Sequence, residues 1–329
     1  AIAADTLECS GNGRSLLAAK SAGNPWTFGG VGNAVWGWVW LRDVLNPVGL
    51  KPAATHVAFE GFDRPLGAAG IKFIRSLPLE KALSTTLLAY EMNGEPLPLK
   101  HGHPLRALAL GWTGANCVKW LNRITVLDRP FAGFFMDNVY RVFQKGQEPS
   151  AGERVTGMKL KSIITQPLAG ETLTAGTIVV LGAAYAGEDR VARVDVSLDG
   201  GATWRAAQFI GPDEPFAWRQ WQVVWRDAGP GEYTLMACAT DDRGRRQPEG
   251  DESLPDRLVH GQRVRVVRQR LHQQVECFLA ASAREHVLRK GRPGAPVLRS
   301  GRNQAAADLL ESPEEITDRI FFPLVSGRE

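Results

Sequence analysis

Cys9 stands in the nonapeptide Thr6-Leu-Glu-Cys-Ser-Gly-Asn-Gly-Arg14, which packs a thiol, two glycines and an arginine into a few positions. A thiolate is a soft, anionic ligand, and a metal bound to it displaces the thiol proton outright. Gly11 and Gly13 would let backbone approach a bound group closely. A doubly charged oxyanion needs fixed positive charge and planar donors, and an arginine such as Arg14 offers both in a form that keeps its proton. On residue type alone, a single cysteine is more often buried structure than ligand, and a single arginine more often a solvated charge. Cys117, Cys238 and Cys277 sit in apolar or alternating contexts and read as core. The four cysteines lie far apart with no Cys-x-x-Cys, which disfavours a disulfide framework, a zinc ribbon and a covalently attached haem.

The elements that must position these groups divide the chain. A length of 329 residues predicts two domains with room for an appendage. Residues 1–145 mix strand runs such as Thr55–Phe59 with helix signals: Leu41–Leu45 stopped by Pro47 and Gly49, and Pro78–Leu83 opened by its proline. This irregular order predicts an α+β domain rather than repeated βαβ units. The polar stretch Lys145–Arg154 has turn formers and charge without a hydrophobic period and reads as a linker.

From 157 to 268 the pattern is all-β. Lys161–Thr165, Ile178–Leu181, Val191–Ser197 and Tyr233–Ala239 alternate, and Asp199-Gly200 predicts a hairpin turn before Thr203-Trp204. Short strands at this spacing predict an immunoglobulin-like sandwich, with Trp204, Trp218 and Trp221 read as its ordinary core in preference to exposed aromatics of a dimer-forming face. Residues 269–329 hold two amphipathic helical patterns, Val275–Leu288 and Ala305–Arg319, around a basic spacer, and have no assigned role. A hydrophobic content of 44% with no apolar run near the ~18 residues of a spanning helix argues against a membrane span. A net charge of +4 gives no reason to invoke nucleic acid.

The Thr6–Arg14 segment resembles the molybdenum-ligand motif of the sulfite oxidase family. The resemblance continues in order through Trp26, Gly32–Trp36, Leu41–Leu45, Tyr90–Leu97, His101–Arg106 and Gly114–Trp120, and then through Asp195–Trp204 and Ala217–Trp221 of the second domain. It covers most of residues 1–268. It implies an α+β molybdopterin-binding domain followed by an immunoglobulin-like dimerisation domain, a pyranopterin-bound molybdenum held through Cys9, and no haem in this chain. Position in the motifs implies that Arg14 contacts the anion, that Trp26 walls the pocket, that Tyr140 is an active-site tyrosine and that Arg263 is an arginine sent in by the second domain. His101, Arg106 and Lys119 stand where the family's cofactor contacts stand, while Glu91 and Asn93 read as structural.

The activity so implied is oxidation of sulfite, or a related sulfur oxyanion, to sulfate. The metal and pterin supply the oxygen-transfer chemistry, and the protein supplies anion pocket, orientation and electrostatics. The electrons must leave one at a time, so a separate cytochrome c or another external acceptor is expected, together with a homodimer and, by family analogy, a periplasmic location. Two departures qualify the match. Residues Ala1–Cys9 contain no initiator Met and no signal pattern; the family's catalytic domain begins well upstream, and the segment there supplies an arginine and a histidine, so part of the site is expected to be missing. The aromatic run Trp36-Gly-Trp-Val-Trp40 predicts an altered pocket near the cofactor. Two alternatives stand beside the sulfite reading: a sulfane dehydrogenase acting on carrier-bound sulfur, and a non-catalytic β-sandwich interaction protein whose metal domain has decayed.

Overall fold

In the computed structural model the described residues are 2–16, 24, 26–67, 69–142, 148, 151–247 and 260–267. The two helical patterns of the tail and Cys277 lie outside them. Among the described residues no helix is long and apolar enough to cross a membrane.

The first part is built on two antiparallel sheets. In the larger, Ile2–Glu8 pairs with Val31–Trp40, which pairs with Thr86–Met92; that strand carries Arg106–Ala109 and the short Glu95–Pro96 on its other side. In the smaller, His56–Gly61 lies between Ile74–Pro78 and Leu121–Leu127. Helices are few and short. Leu41–Leu45 ends where Asn46–Val48 tightens and Gly49 turns with φ at 76°. Leu79–Thr85 begins one residue after Pro78, so the proline sits at the cap and still belongs to the preceding strand. Trp36, Trp38, Phe59, Leu77, Leu87, Leu108 and Val118 pack into one core between the sheets. The tryptophans expected to reshape the pocket are therefore largely core: Trp36 and Trp38 are buried and Trp40 is packed at the margin.

The second part is a two-sheet sandwich. One sheet runs Lys161–Gln166, Gly176–Tyr185, Arg219–Ala228, Gln208–Ile210; the other runs Thr172–Thr174, His260–Val267, Gly231–Asp241, Val191–Ser197, Arg205–Ala206. Val180, Trp221, Val223 and Trp225 of the first meet Val194, Val196, Leu235, Ala237, Val264 and Val266 of the second in a shared core. Trp221 and Trp225 are that core's buried tryptophans. Trp204 and Trp218 are only half-buried, which corrects the expectation that all three are core. The Asp199-Gly200 pair lies in the turn of a hairpin, as expected. The ladder opens at Val196 opposite Arg205, and Asp199 caps the wide loop between, its carboxylate accepting from Thr203 N and Oγ1 while Gly200 and Gly201 take positive φ.

The two parts are joined by close backbone contact. Glu153–Arg154, at the end of the expected linker, folds back as a short strand on Arg141–Val142. Met158 N donates to Gly111 O at 2.9 Å. A Cβ on Gly111 would lie 2.8 Å from the Gly187 carbonyl carbon and the Glu188 amide, and one on Gly187 would lie 2.7 Å from Met158 O. Both positions also have positive φ, so only glycine meets the two demands together.

Candidate active site

Strand Ile2–Glu8 delivers Cys9 into a turn that its own backbone closes: Asn12 N donates to Cys9 O at 2.9 Å and Arg14 N to Gly11 O at 3.1 Å. Segment 26–30 holds this turn from outside, through Cys9 N to Gly30 O, Gly13 N to Thr27 O and Ser15 N to Trp26 O. The Cys9 thiol is exposed, unlike those of Cys117 and Cys238, which are buried as expected for core. Burial, with the charge of Asp5 nearby, pushes the Cys117 thiol up to about 11. Gly11 does more than free the backbone, because a Cβ there would stand 2.8 Å from Nη2 of Arg14: the guanidinium folds back over the turn. Trp26, 40% exposed, lies beside Ser15 through its carbonyl, at the rim of the same group.

Tyr140 joins Cys9 and Arg14. It is half-buried with φ at 57°, a backbone state an aromatic residue adopts only where its surroundings enforce it. Burial raises its phenol pKa; the cations Arg75 and Arg14 pull it back, and the charge of Cys9 pushes it further up. Arg75 is a member of this group that sequence reading missed. It is buried in Ile74–Pro78, its Nη2 donates to Asn116 Oδ1 at 2.8 Å and its Nη1 to Phe135 O, and its guanidinium lies 5.3 Å from the Tyr140 ring centroid. Burial drops its pKa to about 10. The available signal was phase: Arg75 shares the strand face of buried Leu77, where an arginine is out of place unless it has work there.

His101, Arg106 and Lys119 form a second group. Arg106 Nη1 donates to His101 O at 2.9 Å, and Gly102 keeps the turn tight enough that a Cβ would come within 3.2 Å of the Cβ atoms of both Arg106 and Lys119. Burial lowers the pKa of His101, and Arg106 and Lys119 lower it further; burial and then Arg106 do the same to Lys119. Arg106 is itself lowered by burial, against the attraction of Cys117 and Asp5, and its Nε is buried with no hydrogen-bond partner among the described residues. Two cations, Arg106 and Lys119, beside a histidine that burial and their charge hold in its neutral form, with an orphan donor among them, fit an anionic, polar group such as a pterin phosphate. The exposed thiol of Cys9 fits the metal end of such a cofactor. Beside this group, Phe62, Asp63, Leu99, His103 and Trp120 line a groove of about 660 Å³.

Arg263 is not gathered with either group among the described residues. Over residues 262–267 of His260–Val267 the alternation is strict: Gln262, Val264 and Val266 are buried, whereas Arg263 and Arg265 point outward. Arg263 faces Thr234 across the ladder and receives Gly170 N on its carbonyl, both within the sandwich. The phase keeps its side chain out of the sandwich core. Asn93 is structural as expected, with φ at 55° and its side chain accepting from Val35 N.

Comparison with known proteins identifies both domains. Residues 2–135 match the oxidoreductase molybdopterin binding domain, and residues 153–255 match the Mo-co oxidoreductase dimerisation domain. The chain is 38% identical over 267 residues to mitochondrial sulfite oxidase of Homo sapiens, covering 74% of this chain and 48% of that protein. It is 33% identical over 278 residues to sulfite oxidase of Arabidopsis thaliana, covering 76% and 70% respectively. Among solved structures, the sulfane dehydrogenase SoxCD from Paracoccus pantotrophus superposes with a TM-score of 0.70 at 29% identity, over 80% of this chain and 68% of that one. The chain spans about half the length of the mammalian sulfite oxidases it matches. With a molybdopterin-binding domain, a Mo-co dimerisation domain and this degree of identity, the chain belongs to the sulfite oxidase family of molybdenum oxidoreductases.

Proposed function

We propose that the protein oxidises sulfite, or a closely related sulfur oxyanion, to sulfate at the group formed by Cys9, Arg14 and Tyr140. The observation that carries this reading is the convergence of an exposed thiol, a guanidinium folded over its turn and a protonated phenol. When bound, the molybdenum and its pterin supply oxygen-atom transfer and accept the two electrons released as sulfite and water become sulfate and two protons. Cys9 is the metal ligand. His101, Arg106 and Lys119 hold the cofactor's phosphate and pterin edge by charge and hydrogen bonding. Arg14 captures and orients the anion, the Tyr140 hydroxyl donates to it, and Trp26 closes one side against water.

The electrons pass to an external acceptor, for which a separate cytochrome c is the expected class. We read the sandwich as immunoglobulin-like and as the part through which two copies pair, with the domain boundary between residues 145 and 157. The likeness to SoxCD favours a second reading, a sulfane dehydrogenase acting on carrier-bound sulfur. Protein from a host that makes the cofactor should contain about one molybdenum per chain and be reduced by sulfite. Turnover of carrier-bound sulfane with little response to free sulfite would select the second reading, and protein free of molybdenum would leave only a binding module.

A further inference from the structure

Glu8 immediately precedes Cys9, and it is buried. Its Oε1 accepts three hydrogen bonds: from Lys161 Nζ at 2.5 Å, from the Tyr185 hydroxyl at 2.8 Å and from Asn12 Nδ2 at 3.0 Å. Lys161 and Tyr185 belong to the sandwich, whereas Asn12 closes the Cys9 turn. The other end of the Asn12 amide accepts from Gly30 N, and Gly30 O receives the amide of Cys9 itself. The sandwich also grips the strand two residues earlier, where Thr6 N donates to Phe216 O and Trp218 N to Thr6 Oγ1.

An ion pair whose only task is to join two domains can lie anywhere along the seam, as Lys81 with Glu188 does at 2.5 Å. The Glu8 cluster differs in where its bonds end: every donor to the carboxylate, and every partner of Asn12 just named, bears on the backbone within three residues of the thiol. We propose that Lys161 and Tyr185 are positioning residues for the metal ligand, so that the domain assigned to dimerisation also sets the direction in which Cys9 presents its sulfur. This inference rests on the reading of Cys9 as the ligand. Groups that hold a ligand from behind are commonly worth ~10–100-fold in metal affinity. Removing one member of a buried pair leaves the other charge uncompensated, whereas removing both charges does not.

The test uses the full chain, made in a host competent for the cofactor, as Lys161→Met, Tyr185→Phe and the double variant Glu8→Gln/Lys161→Met. Three quantities are read: molybdenum retained per chain on dialysis, the electron paramagnetic resonance spectrum of the Mo(V) state, and amide hydrogen exchange over residues 6–14 in cofactor-free protein. Lys161→Met should weaken molybdenum retention by ~10–100-fold and speed exchange over the turn, with the double variant recovering most of both. Tyr185→Phe should leave the fold intact and shift the Mo(V) spectrum. Should Lys161→Met fail to fold, the double variant and Tyr185→Phe decide. Wild-type retention, spectrum and exchange in all folded variants would overturn the proposal. If the wild-type protein itself takes up no molybdenum, the ligand reading falls, and unchanged exchange over residues 9–14 in cofactor-free Lys161→Met would separately overturn the positioning role.

Discussion

The guanidinium of Arg14 fills the space that a side chain on Gly11 would need, with Nη2 2.8 Å from where a Cβ would be. Position 11 therefore governs where the charge of residue 14 sits. Gly11→Ala should displace the guanidinium and weaken anion capture nearly as much as Arg14→Gln. A hydrogen bond to a charged group is worth about 1.5–3 kcal/mol, so both should lower kcat/KM for sulfite by ~10–100-fold. Steady-state kinetics of the two variants would check this, and unchanged kcat/KM in Arg14→Gln would reduce Arg14 to a surface charge.

Cys9→Ser replaces a soft thiolate with a harder and far less acidic oxygen donor. Oxidation of sulfite should fall by more than the ~10–100-fold typical of losing a group behind a ligand. The thiolate-to-molybdenum features of the visible spectrum should go with it. Near-normal turnover in a molybdenum-replete Cys9→Ser protein would exclude Cys9 as the ligand.

The thiols should separate by reactivity. In cofactor-free native protein at pH 8, iodoacetamide should label Cys9, which is exposed, well ahead of Cys117 and Cys238, which are buried. Burial and the nearby charge of Asp5 hold Cys117 near 11, so about one thiol in a thousand is ionised there at that pH. Peptide mapping by mass spectrometry reads the order, and bound cofactor should slow the Cys9 reaction alone.

Tyr185 supplies a pH dependence of stability. Burial, then the charge of Glu8 and the hydrogen bond to it, raise its phenol well above the ordinary value of 10.0. The folded state keeps this proton after the unfolded chain has released it. The contribution is thus fully present below pH 10 and is lost as pH rises beyond it. Tyr185→Phe should flatten the alkaline fall in unfolding free energy, measured by urea denaturation between about pH 9 and 11.

Arg75→Met should leave Asn116 Oδ1 and the Phe135 carbonyl without their donor in a buried setting, a loss of about 2–3 kcal/mol by the usual cost of orphaned acceptors. Thermal unfolding would show it. Because Arg75 also draws the Tyr140 phenol pKa downward, a spectrophotometric titration of Tyr140 should move up in the variant.

Local periodicity made much of this fold legible. Val191–Ser197 and Tyr233–Ala239 are strands because their alternation matches the two-residue repeat of a pleated sheet, and Leu41–Leu45 stops where its proline and glycine say it must. For Arg263, the alternation in Gln262-Arg-Val-Arg-Val266 already carried the phase that turns its side chain out of the sandwich core. The hairpin at Asp199-Gly200 was legible, whereas the side-chain bonds by which Asp199 closes its loop were not. Cys9, Arg14 and Tyr140 were accessible through motif order. Arg75 and the Glu8 cluster were not, because Glu8 meets Lys161 across 153 positions and Arg75 meets Asn116 across 41, and no local pattern encodes such meetings.

The contact of Gly111 with Gly187 and Met158 is backbone against backbone, with the Glu188 Cγ packed equally close to Gly111, so little there can absorb a change of length. A single inserted residue in either turn would have to push the two halves apart or buckle the turn. The loop at residues 199–204 could swallow the same insertion at its solvent face. Length variation among natural or engineered versions of this chain should therefore collect at that outer loop and be excluded from the two glycine turns, however different the residues around them become.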